Sequence, residues 1–259
     1  MRDRNAGSIE SIGSVGRGGA VSSGTGGRTA TYEMVLTHIE QGLTSGALRP
    51  GDRLPAEREL AGTLGASRTA VREALRVLQA QGVIRSQVGT GDGSGTVIVP
   101  APARALGRVL QLHLAVDSFP VDDVTEARVM LERFSAGLAA SRRTANDLLV
   151  MTAELDAMDA DLDPEAFSDA DIAFHVLIAG SAGNRLVNEL TVAIRESVRG
   201  VLLDAMHERV DWPSLRERLR GEHRAIHAAL LAGDGGRAAD LMEEHIRAFH
   251  GVLPPAGPR

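Results

Sequence analysis

Pro100 and Pro102 divide the chain into two stretches with different patterns, and that division constrains the fold more than any other feature. Beyond it, residues 104 to 252 carry apolar residues at helical spacing, with short Gly, Pro, Asp or Asn breaks and no convincing strand. The periodicity predicts helices near 104–116, 121–140, 144–159, 164–180, 184–208, 214–231 and 236–252. Before the prolines, Tyr32, Leu36, Ile39 and Leu43 recur at spacings of four, three and four, the mark of an amphipathic helix that ends at Gly46 and Pro50-Gly51. Two further helices fit Ala56–Leu64 and Arg68–Gln81, stopped by Gly65 and Gly82. The β-branched runs VIRS and TVIV, separated by a glycine-rich stretch with Asp92-Gly93, predict a hairpin. The chain therefore reads as mainly α: an amino-terminal winged helix-turn-helix of three helices plus a β-hairpin, joined to an all-α helical bundle.

With 259 residues, two domains are expected. Residues 1–29 hold glycines and serines without apolar periodicity and are expected to be a disordered tail. The expected boundaries are a DNA-binding domain over 30–100, a linker over 101–106, the helical domain over 107–253 and a tail over 254–259. There is no cysteine, which removes disulfides and thiolate metal sites. No apolar run is long enough to span a membrane, and the first residues lack the apolar core of a secretory signal. The cytoplasm is the expected compartment. All basic residues are arginine, which excludes lysine-based Schiff-base and P-loop chemistry. Residues 1–100 carry 11 Arg against 9 acids, whereas the remainder carries 17 against 25, so the two parts differ in sign.

On the third helix Val71, Leu75 and Leu78 share one face, while Thr69, Arg72 and Arg76 lie a quarter turn or more away, and Ser67 stands where an N-cap belongs. Guanidinium forks match guanine edges and phosphates, and a helix N-terminus adds backbone donors to phosphate. A solvated charged face is the plainer reading of such a stripe. Its place on the third helix of a helix-helix-helix-hairpin unit favours a reading helix. With 3% aromatic residues, stacking platforms for single strands are not expected, so the preferred partner is duplex DNA.

In the helical half, Asp171 and His175 sit one turn apart on the rim of a stripe made by Phe167, Phe174, Leu177 and Ile178. His223 falls nearer than His227 to the centre of the stripe of Leu215, Leu219, Ile226 and Leu230, and His245 is nearly central in the last helix. These four residues can converge, and three imidazoles with one carboxylate form an open-sided set for Zn²⁺, Mn²⁺ or Ni²⁺. One inward histidine is more often a hydrogen-bonded core residue. His38, His113, His207, His227 and His250 are read as surface, core or interface residues. Arg128 intrudes near the stripe of Val124, Leu131, Phe134 and Leu138. It fits either a helix-surface ion pair with Glu132 or a clamp for a carboxylate ligand.

The stretch GALRPGDRLPAERELAGTLGASRTAVREALRVLQAQGVI resembles the winged-helix domain of the GntR family of bacterial transcription regulators. The resemblance implies DNA contacts at Arg58, Ser67, Arg68, Thr69 and Arg72, with the wing glycine at Gly89. Two departures are Ala56, where the family often has a capping Ser, and a longer wing loop, QVGTGDGSGTV. Segments VTEARVMLERFSAGLAA, SDADIAFHVLIAGSAGN and EHRAIHAALLAGDGGRAADLMEEHI resemble the effector-binding FCD domain of the FadR subfamily. That resemblance implies metal ligation by Asp171, His175, His223 and His245, effector contacts at Arg128 and Asn184, and small carboxylate effectors. The expected protein is a homodimeric regulator of a palindromic operator, not an enzyme, with zinc as the first choice of metal and manganese or nickel as alternatives. The rival reading is a metal-dependent hydrolase or lyase with a docking amino-terminal domain, for which there is no HExxH pattern and no compellingly placed general base.

Overall fold

The computed structural model describes residues 26–87, 95–116, 118–208 and 211–251. It divides into two compact units, Met1–Ala101 and Pro102–Arg259. In the first, α1 (Gly26–Thr44), α2 (Glu57–Leu64) and α3 (Arg68–Ala80) lead into an antiparallel hairpin of β1 (Ile84–Gln87) and β2 (Gly95–Ile98). Val35 and Ile39 of α1, Leu60 of α2, Val71, Leu75 and Leu78 of α3, and Ile84 and Ile98 across the hairpin form its core. Ile84 pairs directly with Ile98, so the register places both on the same face.

Local chemistry sets the ends of these helices. Gly65 closes α2 at φ 62°, a left-handed conformation that favours glycine, with its N–H turned to the carbonyls of Ala61 and Gly62. Ser67 Oγ accepts from Ala70 N at 3.1 Å and caps α3, whereas Ala56 offers α2 no such bond. Two features differ from expectation. Helix α1 reaches back to Gly26, into the stretch expected as tail, because extending a formed helix requires no new nucleus. Residues 51–54 also pair with β2, through Leu54 N to Thr96 O, Gly51 N to Ile98 O and an Arg53–Val97 bridge.

The second unit is helical throughout its described residues: α4 (Ala103–Ala115), α5 (Val121–Arg142), α6 (Ala145–Met158), α7 (Pro164–Ser181), α8 (Arg185–Glu208), α9 (Trp212–Ala232) and α10 (Gly235–His250). The expected linker is shortened, since α4 already begins at Ala103. Thr144 and Asp147 form a capping box at α6, and Asp163 and Asp234 cap α7 and α10. Phe167, Phe174, Leu219, Ile226, Met242 and Ile246 lie at the centre of the core. Helices α5 and α10 approach so closely that a Cβ on Gly235 would stand 2.6 Å from the carbonyl oxygen of Gly137. This contact brings the inner faces of α5 and α10 together with α7 and α9. Among the described residues no helix is long and apolar enough to cross a membrane.

Candidate metal centre and nucleic-acid interface

Asp171 and His175 of α7, His223 of α9 and His245 of α10 meet inside the second unit, each offering one ligand atom within 4.8 Å of the others. The histidines are buried and Asp171 is partly exposed. Asp171 Oδ1 lies 3.0 Å from His223 Nε2 and 3.6 Å from His175 Nε2, and the two Nε2 atoms are 3.4 Å apart. Ligand bonds near 2.1 Å separate neighbouring donors by about 3.0 to 3.4 Å, so two of these three spacings suit one divalent ion and the Asp171–His175 spacing is slightly wider. The remaining ring nitrogens support the same assignment. His175 Nδ1 is 2.8 Å from Glu132 Oε2, though off the line of a hydrogen bond, and His245 Nδ1 is 2.7 Å from Glu222 Oε2. A carboxylate behind Nδ1 fixes ring orientation and leaves Nε2 for a metal. His223 Nδ1 is buried without a hydrogen-bond partner among the described residues.

Behind this cluster lies a buried charge network that spacing did not reveal. Arg195 of α8 donates from Nε to Glu132 Oε1 at 3.1 Å and from Nη1 to Asp171 Oδ2 at 2.9 Å. Arg128 of α5 donates from Nε to the same Glu132 Oε1 at 3.2 Å. Glu132 is 2% exposed and Arg195 3%, so each charge has exchanged water for its partners. Burial pushes the Glu132 carboxyl up, but Arg195, His175 and Arg128 outweigh burial and hold it well below the usual carboxylate range. Burial acts on Asp171 in the same way, and His175, Arg195 and the His223 hydrogen bond bring it well below normal. Burial depresses His175 to about 3, with Arg195 reinforcing it, and lowers His245 strongly as well. Both of these imidazoles are therefore neutral at ordinary pH, the form that ligates metal.

Arg128 pairs with Glu132, but inside the unit and not on the helix surface. It also lines a narrow pocket with Asp171, His245 and Arg195. Asn184 is not brought there. Its side chain accepts from Val187 N at 3.2 Å at the start of α8, and it does not line the pocket. Among the other histidines, His207 pairs with Glu165, His250 bridges Thr125 and Asp122, and His227 contacts Thr152.

In the first unit, Arg58, Ser67, Arg68, Thr69 and Arg72 are all exposed, while the opposite face of α3 buries Ala70, Val71, Ala74, Leu75 and Leu78. Arg72 Nη2 lies 2.9 Å from Glu57 Oε2, a contact between α2 and α3 that raises the arginine's pKa and lowers that of Glu57. Gly89, expected to contact DNA from the wing, lies outside the described residues.

A winged helix-turn-helix with an exposed arginine face, together with a helical unit enclosing an acid and histidine cluster, defines a DNA-binding transcription regulator with its own sensor domain. Residues 31–96 match the bacterial regulatory proteins of the gntR family and residues 123–248 match the FCD domain. The chain belongs to the GntR family. It is 33% identical over 217 residues to the HTH-type transcriptional regulator LutR of Bacillus subtilis (strain 168), covering 82% of this chain and 95% of that protein. It is 29% identical over 226 residues to the Uxu operon transcriptional regulator of Escherichia coli (strain K12), covering 83% of each. The solved structure of Streptococcus agalactiae GntR shares the fold, with a TM-score of 0.53 and 23% identity over 84% of this chain and 98% of that one. The matching proteins are transcription regulators, and the hydrolase or lyase reading has no support among them.

Proposed function

We propose that the protein is a cytoplasmic homodimer that binds a palindromic operator through α3 and releases or grips it according to a small carboxylate held in the second unit. The observation that carries this reading is the convergence of Asp171, His175, His223 and His245 beside the buried guanidinium of Arg128. Arg58, Ser67, Arg68, Thr69 and Arg72 serve as the DNA contacts, with Gly89 in the wing. Zinc suits the nitrogen and oxygen donors best, with manganese or nickel as alternatives set by availability.

Charge favours an anionic ligand. Arg128 and Arg195 balance Glu132 and Asp171, and imidazoles that ligate a metal are neutral, so a divalent ion adds its positive charge to a site where these four charges already cancel. When bound, the ion supplies a Lewis-acidic position for a carboxylate oxygen. Arg128 orients the other oxygen through its planar fork. The pocket measures about 20 Å³, room for a water or two, so admitting an organic acid requires its walls on α8 and α10 to move. In a homodimer, whose two reading helices must match the half-site spacing, such movement changes operator affinity.

Zinc analysis after dialysis tests the ligand set. Wild-type protein is expected to retain close to one zinc per chain, and the His223→Ala, His245→Ala double variant almost none. Full retention by the double variant would refute the assignment.

A further inference from the structure

The pocket beside the metal cluster has a charged part and a largely apolar part. Asp171, His245, Arg128 and Arg195 make the charged part at the cluster, and Leu202 and Met206 of α8, Leu219 of α9 and Phe249 of α10 make most of the remainder. Leu219, Met206 and Phe249 are buried, and Leu202 packs against the core. Arg199 also reaches the pocket, but its Nη2 is held by Asp169 at 2.5 Å. Among the lining residues Ser168 alone brings a hydroxyl.

From this division we infer that the effector is a monocarboxylate with a short apolar tail and at most one hydroxyl, and that polyhydroxylated sugar acids are rejected. The inference rests on the proposal that a carboxylate is the effector and specifies the rest of that molecule. A carboxylate satisfies the charged part, and its tail then lies against leucine, methionine and phenylalanine, where each methylene removed from water strengthens binding about fourfold. Outside the charged part a ligand hydroxyl meets only Ser168 and the Asp169-paired Arg199, and each hydroxyl left unpaired weakens binding about tenfold. The unbranched thioether of Met206 and the edge position of Leu202 let these walls yield to a small tail. Because these walls must move to admit even a small acid, each further carbon of the tail requires more displacement, which favours a short one.

Titration calorimetry on the zinc-loaded full chain with acetate, propionate, butyrate and gluconate tests the inference. Affinity should rise about fourfold per added methylene from acetate to butyrate, and gluconate should bind at least tenfold more weakly than butyrate. In Leu202→Asn the gain per methylene should fall. Affinity that stays flat along the series, or gluconate binding as tightly as butyrate, would overturn the inference while leaving a carboxylate effector in place. If none of the four acids binds the zinc-loaded chain, the effector proposal itself fails, and the inference falls with it.

Discussion

Glu132→Ala is expected to destabilise the carboxy-terminal unit by about 3 to 5 kcal/mol, because it strands two buried guanidinium groups. Glu132 accepts from Arg128 Nε and from Arg195 Nε and Nη2, and its other near neighbour is His175 Nδ1. Removing it leaves Asp171 as the remaining carboxylate bonded to Arg195 and takes away the carboxylate that pairs with Arg128 Nε. The cavity left by the lost carboxylate adds to the cost. Glu132→Gln keeps the volume and part of the hydrogen bonding, so the difference between the two variants in urea unfolding isolates the charge contribution. The same substitutions release His175 from the group that orients it, and zinc affinity should fall 10- to 100-fold, as is typical when a partner of a metal-binding histidine is lost. Wild-type stability and zinc affinity in Glu132→Ala would show the network to be incidental.

The second large effect concerns DNA. Arg68→Ala combined with Arg72→Ala should weaken binding to a cognate operator by about 2 to 6 kcal/mol, at least 30-fold, if each arginine makes one bidentate base contact. If the contacts are to phosphate instead, binding weakens across all sequences and the salt dependence becomes shallower by about two. Both side chains are exposed on α3, and the buried face of that helix is untouched, so the melting temperature should barely move. Fluorescence anisotropy over a range of salt concentrations separates these outcomes. Undiminished affinity in the double variant would remove α3 from the reading position.

Much of this architecture is written in local pattern. The helices follow from apolar spacing because each buries one face, and Asp171 with His175 is visible as a pair one turn apart on the rim of such a face. His245 is recognisable because it lies near the centre of an apolar stripe, and His223 because it lies nearer to one than His227 does. Glu132 shows in the sequence only as an i,i+4 partner of Arg128, and no motif points to Arg195 or Glu222. Whether Arg128 and Glu132 form a surface pair or a buried one depends on what α8 lays over them, and spacing within α5 carries no record of that. A signal for Arg195 did exist: it shares a face with Thr191, Val198 and Leu202, in phase with a buried stripe, so its charge needed a partner elsewhere. Glu222 stands next to His223 and reads as an ordinary surface acid until α10 brings His245 against it. The pairing of residues 51–54 with β2 leaves no mark in the sequence because so short a segment shows no alternation. An effector contact at Asn184 rests on resemblance alone, and in the structure its side chain caps α8.

The most direct test is operator affinity of the zinc-loaded protein, measured by anisotropy with and without saturating butyrate. Acid control through the metal centre predicts a change of at least tenfold, abolished when zinc is removed or when His223 and His245 are replaced by Ala. The coupling must correspond to a difference in acid affinity between the free and operator-bound states. Operator affinity that stays the same while calorimetry shows the acid bound at the zinc site would contradict it.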